Sequence, residues 1–177
     1  MFGSMFGGDK SVPSKIIAAP EPGSTMRIDI VSDTHGYLSP ELLEELAGAD
    51  LIVHAGDFCS LDDYNYLCGI APLQGCLGNN DYRYEYPPEV GRLVRFEVGD
   101  TRWQVAHYRE DLDLKCADVA VCGHTHKPYV EERRGRIVLN PGSPTFPRTT
   151  MGPTMARVIV GEGGRLVSAD IIQLGES

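Results

Sequence analysis

"MRIDIVSDTHGYLSPELLEELAGADLIVHAGD", residues 26–57, is the stretch whose reading decides the fold. Residues 26–32 form a short apolar run that ends in the polar loop "DTHGYLS". Pro40 to Ala47 reads as a helix. Ser39 is placed to cap it, Pro40 suits the first helical position, and Leu42, Leu43 and Leu46 share one face. "DLIVHAGD" (50–57) is a second buried strand running into a loop. A shorter helix over Leu61 to Leu67 and a third strand and loop, "LQGCLGNND" (73–81), repeat the pattern. Strand, loop and helix in alternation predict a parallel α/β sheet for the first half.

The second half changes character. "RLVRFEVGDTRWQVAH" (92–107) predicts a hairpin turning at Gly99-Asp100. "ADVAVCGHTH" (117–126) is another buried strand and loop. "PYVEERRGRIVLNPGS" (128–143) and "MARVIVGEGGRLVSADIIQL" (155–174) predict hairpins turning at Arg134-Gly135 and Gly163-Gly164. The expected total is a mixed α/β sandwich of roughly ten strands.

The 177 residues and 42% hydrophobic content suit a single globular domain, assigned to residues 26–177. Residues 1–25 are rich in Gly, Ser and Pro and lack periodicity, and are set apart as a flexible leader or expression remnant. The longest apolar run in that segment, Ile16 to Ala19, is too short for a signal-peptide core. No apolar stretch approaches the ~20 residues of a membrane helix. A net charge of −9, with no cluster of Lys and Arg, argues against gripping nucleic acid by its phosphates. Five cysteines, an odd number without zinc-ribbon spacing, read as reduced thiols in a cytoplasmic protein, with Cys76 and Cys122 in the core.

Polar residues that can bind metal collect at strand ends. Asp33 and His35, Asp57, Asn79, His107, and His124 with His126 fall in five separate loops, each following an apolar run. Strand C-termini are where open α/β sheets build their sites. Four of the loops, each taken alone, read as a turn, a cap or a satisfied strand-end histidine, whereas the two imidazoles of Gly123-His124-Thr125-His126, closed off by Pro128, suggest metal. Five turns need not all carry His, Asp or Asn, whereas a metal centre requires it. Imidazole and carboxylate suit Mn, Fe or Zn, and the lack of ligating cysteine argues against a structural zinc site. Seven candidate ligands exceed the needs of one ion and serve two when one carboxylate is shared. Two ions ~3.5–4 Å apart form a clamp for phosphoryl displacement.

In this order, Asp33-x-His35, Gly56-Asp57, Gly78-Asn79, His107 and Gly123-His124-x-His126 resemble the calcineurin-like metallophosphoesterase superfamily. "NPGSPTFPR" (140–148) resembles its small bacterial and archaeal phosphodiesterase branch, which also includes the retromer scaffold subunit. The resemblance implies a four-layer α-β-β-α sandwich of two mixed sheets. It implies that Asp33, His35 and His126 hold one divalent ion, that Asn79, His107 and His124 hold another, and that Asp57 bridges them. Asp57, Asn79 and His107 then stand closest to the reaction, hydrolysis of a phosphodiester by a metal-bridging hydroxide. Manganese is the first expectation for both ions, with Fe, Ni or Zn as alternatives. The implied partner is a small phosphodiester, not a membrane or a nucleic acid, and self-association is common in the branch. A non-catalytic scaffold and a nuclease are the alternatives. His54 has no ligand role in this scheme and reads either as buried or as a support behind the ligands. Asp81 reads as a support for the ligands.

Three departures from the family pattern matter. Many members carry His after the Gly-Asn, whereas this chain has Asn80, which cannot protonate a leaving group. The expectation is therefore either diesters that depart with little help or an acid supplied from elsewhere, with Asn80 near the substrate. Where the family often writes His-Gly-His, this chain has His107-Tyr108-Arg109, so Arg109 is either a phosphate contact or a surface residue. The stretch from His107 to Gly123 is short for a branch that usually places a longer helix there, which reduces one wall of the cleft.

Overall fold

A computed structural model describes residues 15–175. It contains two mixed sheets packed face to face. The strands are β1 (Lys15–Ile17), β2 (Met26–Val31), β3 (Leu51–His54), β4 (Leu73–Gly75), β5 (Leu93–Val98) and β6 (Thr101–Ala106), then β7 (Val119–Val121), β8 (Tyr129–Arg133), β9 (Arg136–Asn140), β10 (Thr154–Val160) and β11 (Leu166–Gln173). One sheet has the order β11-β10-β2-β3-β4 and the other β1-β5-β6-β7-β9-β8. The parallel run β2-β3-β4 is the α/β half expected, but the last hairpin joins it antiparallel through β10.

Period-2 alternation sorts the side chains. Ile28 and Ile30 of β2 point between the sheets, where they meet Phe96, Trp103, Val105, Val121 and Leu139. The opposite face of the same sheet is covered by α1 (Pro40–Leu46) and α2 (Leu61–Ile70). Leu42 and Leu46 of α1 and Tyr64 and Leu67 of α2 pack there against Val31, Ile52 and Met155. The Ser39 cap forms as expected, its hydroxyl accepting from the Leu42 amide at 3.1 Å. Ser60 caps α2 in the same way, and that helix runs one turn beyond Leu67. Outside the second sheet the covering is thin. Between His107 and β7 there are only two single 3-10 turns, Arg109–Asp111 and Leu114–Cys116. No helix among the described residues is long and apolar enough to cross a membrane.

The segment set apart as a leader is not wholly outside the fold. Lys15 to Ile17 pair in parallel with β5, and the Gly99 amide donates to the Ile17 carbonyl at 2.9 Å. A three-residue strand shows no periodicity in sequence; the open edge of β5 supplies its hydrogen bonds. Residues 1–14 lie outside the described residues.

One charge cluster lies where a core would be expected. Asp29 of β2 is fully buried on the helix-facing side. Arg27 contacts it at 2.7 Å and Arg157 of β10 at 2.8 Å, and both guanidinium groups also bond the Glu45 carbonyl in α1. The carboxylate thus ties two strands to one helix. Removing it leaves two arginines facing each other in a partly buried place. Asp29→Ala is expected to cost roughly 3 kcal/mol, a fall of roughly 6–12 °C in melting temperature, measured by calorimetry.

Candidate metal centre

The strands β2, β3, β4, β6 and β7 all end at one edge, and their exit loops deliver the polar groups predicted there. Asp33, His35, Asp57, Cys59, His124 and His126 all adopt positive φ, between 51° and 70°. That region costs an ordinary residue roughly 1–2 kcal/mol. Six such residues around one edge show a backbone bent to point side chains at a common spot.

Two triplets result. Asp33, His35 and His126 bring ligand atoms within 4.8 Å of one another, and so do Asp33, Asp57 and His107. His126 Nε2 is 3.2 Å from Asp33 Oδ1 and 3.3 Å from His35 Nε2. Asp57 Oδ2 lies 3.7 Å from His35 Nε2 and 3.5 Å from His107 Nε2, so it reaches both triplets. Asp33 Oδ1 reaches both as well, at 3.7 and 3.8 Å. Asn79 joins through its amide oxygen, 2.9 Å from His107 Nε2. His124 stands at the exposed margin, its ring centroid 5.2 Å from that of His107.

The tautomers are set by backbone carbonyls. His107 Nδ1 faces the Ala55 carbonyl at 2.7 Å and His126 Nδ1 faces the Phe146 carbonyl at 2.7 Å. A carbonyl only accepts, so each Nδ1 carries the proton and donates it. Each Nε2 is left as a lone pair aimed at the carboxylates. Asp33 Oδ1 is buried and has no hydrogen-bond donor. An orphaned carboxylate oxygen faced by imidazole lone pairs is what a divalent cation satisfies. The donor set of imidazole, carboxylate and amide oxygen fits such an ion.

Electrostatics follow the geometry. Burial alone would raise the Asp33 carboxyl, but His126, His35, His107 and Ser32 together hold it well below the ordinary carboxylate range. The negative charge of Asp33 beside it raises His126, against burial. Burial holds His54 neutral, down to about 3. As expected, His54 is buried and stays out of the cluster. Its Nδ1 accepts from the Gly56 amide, Nε2 meets Thr34 Oγ1 at 3.0 Å, and its ring stacks on Phe58 at 3.7 Å.

Neighbouring loops hold the ligands in place. Asp81 accepts from the amides of Asp57 and Gly78, both at 2.8 Å, from the Cys59 amide at 2.9 Å and from the Tyr86 hydroxyl at 3.0 Å. Asn80 donates to both Asp57 oxygens, from its backbone and side-chain amides, each at 2.9 Å. It stands beside Asp57 and also lines the hollow next to His35. Ser143 donates to the Asp33 carbonyl at 2.8 Å, Thr145 to the Thr34 carbonyl at 2.8 Å, and Asn140 to the Gly123 carbonyl at 2.9 Å. "NPGSPTFPR" was legible as a family trait, not as this brace. Its Asn-Pro-Gly turn signal and run of hydroxyls were the only local hints.

Arg109 is not at the site. Its guanidinium pairs with Glu131 at 2.8 Å and donates to the Tyr129 hydroxyl at 3.0 Å, on the outer face of the second sheet. The phosphate-contact reading of Arg109 is therefore corrected: with no helix between His107 and Gly123, the chain turns outward and β8 captures the side chain. Arg83, in the loop after Asn80, lines the hollow beside His35 instead.

Gly78 shows how tightly the loops meet. A Cβ added there would fall against the Asp57 carboxyl and amide. Gly78→Ala must move Asp57, and the expected result is divalent-metal affinity weakened by roughly 10- to 100-fold, measured by calorimetric titration with Mn²⁺.

The calcineurin-like phosphoesterase superfamily domain matches residues 26–163. A probable metallophosphoesterase of Methanothermobacter thermautotrophicus is 34% identical over 164 residues, 85% of this chain and 94% of that protein. An archaeal phosphodiesterase of known structure aligns at a TM-score of 0.67 and 25% identity, over 84% of this chain and 100% of that one. Vacuolar protein sorting 29 of Cryptosporidium parvum aligns at a TM-score of 0.67 and 20% identity, over 84% of this chain and 98% of that one, a likeness of fold alone. The family match covers the strand-end loops from Asp33 to His126 that build the two triplets, and with it the chain belongs to the calcineurin-like phosphoesterase superfamily.

Proposed function

We propose that this metal-dependent phosphoesterase is a phosphodiesterase that works with two divalent ions. The observation that carries the reading is the Asp33–Asp57 carboxylate pair, with one Asp33 oxygen buried and undonated, between the Nε2 atoms of His35, His107 and His126. Asp33, His35 and His126 would hold one ion, Asn79, His107 and His124 would hold the other, and Asp57 would serve both. When bound, the two ions supply Lewis acidity, lowering the pKa of water and neutralising phosphoryl oxygens. A mixed imidazole and carboxylate set suits Mn, Fe, Ni or Zn, and Mn is the first ion to test.

The chain's own residues do the positioning. The Ala55 and Phe146 carbonyls fix the tautomers of His107 and His126. Asn79 offers a neutral oxygen, which leaves positive charge for the substrate. Asn80 holds Asp57 through two hydrogen bonds and has no proton to give a leaving group. Burial, then the Asp57, Asp81 and Asp33 carboxylates, push the nearby Cys59 thiol up to about 12, so it is a weak acid as well. Diesters of acidic alcohols and phenols are therefore the favoured substrates. The five free cysteines support a reducing, cytoplasmic setting.

A scaffold role is the second reading, supported by the structural likeness to vacuolar protein sorting 29. The intact ligand set argues for catalysis. The test is turnover of bis(p-nitrophenyl) phosphate with Mn²⁺, in the presence and absence of EDTA. Wild-type protein is expected to be active only with metal, and Asp57→Asn to lose at least about 10²-fold in kcat/KM. No turnover by the wild type with any divalent ion, together with a metal-free preparation, would favour the scaffold. A second expectation concerns the missing acid. Asn80→His should narrow the rate gap between nitrophenyl and alkyl diesters, by about 10-fold or more, measured on a matched pair of esters.

A further inference from the structure

Two hollows flank the ligand cluster, and one residue lines both. The first, about 470 Å³, lies beside His35 and Asn80. The second, about 340 Å³, lies beside Asn79 and His107. Tyr82 borders each of them, three residues after Asn79. It is 75% exposed, although burying an aromatic ring is favourable. Phe146 (55% exposed) and Tyr84 (37%) join it around the first hollow. Three large rings thus stand in water beside the site. The Phe146 ring meets the His35 ring edge-on at 5.4 Å, so the aromatic wall begins at a metal-ligand candidate.

The chemistry of that wall is selective. Among the described residues, the first hollow has no aliphatic side chain and a single cation, Arg83. Arg83 Nε donates to the Tyr82 hydroxyl at 3.1 Å, and its guanidinium lies 5.4 Å from the centroid of the Tyr82 ring. Ring and cation therefore form one unit. An acyl chain would find no aliphatic groove here. A flat π-system would find faces to stack on, and a singly charged phosphodiester would find one guanidinium.

We propose that the hollow beside His35 is a nucleoside subsite, so that the substrates are small nucleotide diesters. Tyr82 stacks on the base and Arg83 contacts a phosphate oxygen. The inference rests on the phosphodiesterase reading and names its substrate class. Base–aromatic stacking is indifferent to base identity, because every base has a π-face. The ligand is small because the −9 chain carries no basic strip to track a polynucleotide.

The test is calorimetric binding of AMP, of sn-glycerol 3-phosphate and of inorganic phosphate to the Mn²⁺-loaded full chain. Wild-type protein should bind AMP at least about 10-fold more tightly than glycerol 3-phosphate. Tyr82→Ala should weaken AMP by about 5- to 100-fold, with glycerol 3-phosphate and phosphate within about twofold, while Tyr82→Phe keeps the AMP affinity. Arg83→Ala should weaken all three ligands alike. Equal affinity for AMP and glycerol 3-phosphate in the wild type, or an equal loss of both in Tyr82→Ala, overturns the subsite and points to a glycerol-based diester. Unchanged phosphate binding in Tyr82→Ala reports an intact fold. Absence of diester turnover by the wild type would strike the phosphodiesterase reading, separately from this one.

Discussion

Four donors converge on the carboxylate of Asp81. The amides of Asp57, Gly78 and Cys59 and the hydroxyl of Tyr86 all point at it from within 3.0 Å. This buried anion locks the loop after β3 to the loop after β4. Asp57 belongs to the first loop and Asn79 to the second. Their separation, and the reach of Asp57 to both triplets, depend on that lock. Charge-assisted bonds to backbone amides are among the stronger hydrogen bonds. They also satisfy donors that a tight, irregular loop would otherwise leave orphaned.

The same economy explains the strained backbone. Six residues of the loops hold positive φ, and the loops approach so closely that side chains are excluded between them. A Cβ at Gly56 would sit 2.7 Å from the Gly78 amide and 2.8 Å from His107 Nδ1. A Cβ at Gly123 would meet Ser32 and the Asp33 carboxyl. Glycine is used where backbone must pass a metal-ligand candidate, and the surrounding bonds over-determine the strained angles. The loop from Asn140 to Phe146 completes the enclosure by bonding both the Asp33 loop and the His126 loop.

The thin covering of the second sheet has the opposite effect. With two 3-10 turns between His107 and Gly123, no helix walls the cleft on that side. Arg109 folds outward onto Glu131 and leaves the site to Arg83 and the exposed rings of Tyr82, Tyr84 and Phe146. The ligand candidates and the walls beside them are thereby built from different material. The carboxylates and imidazoles sit on rigid, braced loops, while the neighbouring walls are aromatic and open to solvent.

The seven ligand candidates were legible because each signal is local: an apolar run, then Gly, His, Asp or Asn where the strand ends. Strands β2 and β3, the Ser39 cap and the hairpin turns were readable for the same reason. The Gly99, Gly135 and Gly163 turns all take the positive φ that glycine allows. What remained hidden depends on pairs distant in the chain. Only folding puts Lys15 to Ile17 beside β5, β10 between β11 and β2, Arg157 on Asp29, and Arg109 on Glu131. Local hydrophobic period and turn chemistry determined which residues lie at the strand ends. The register of the strands and the close approach of the loops decided which of them meet, because a side chain's partner is set by tertiary packing, which no short window of sequence contains.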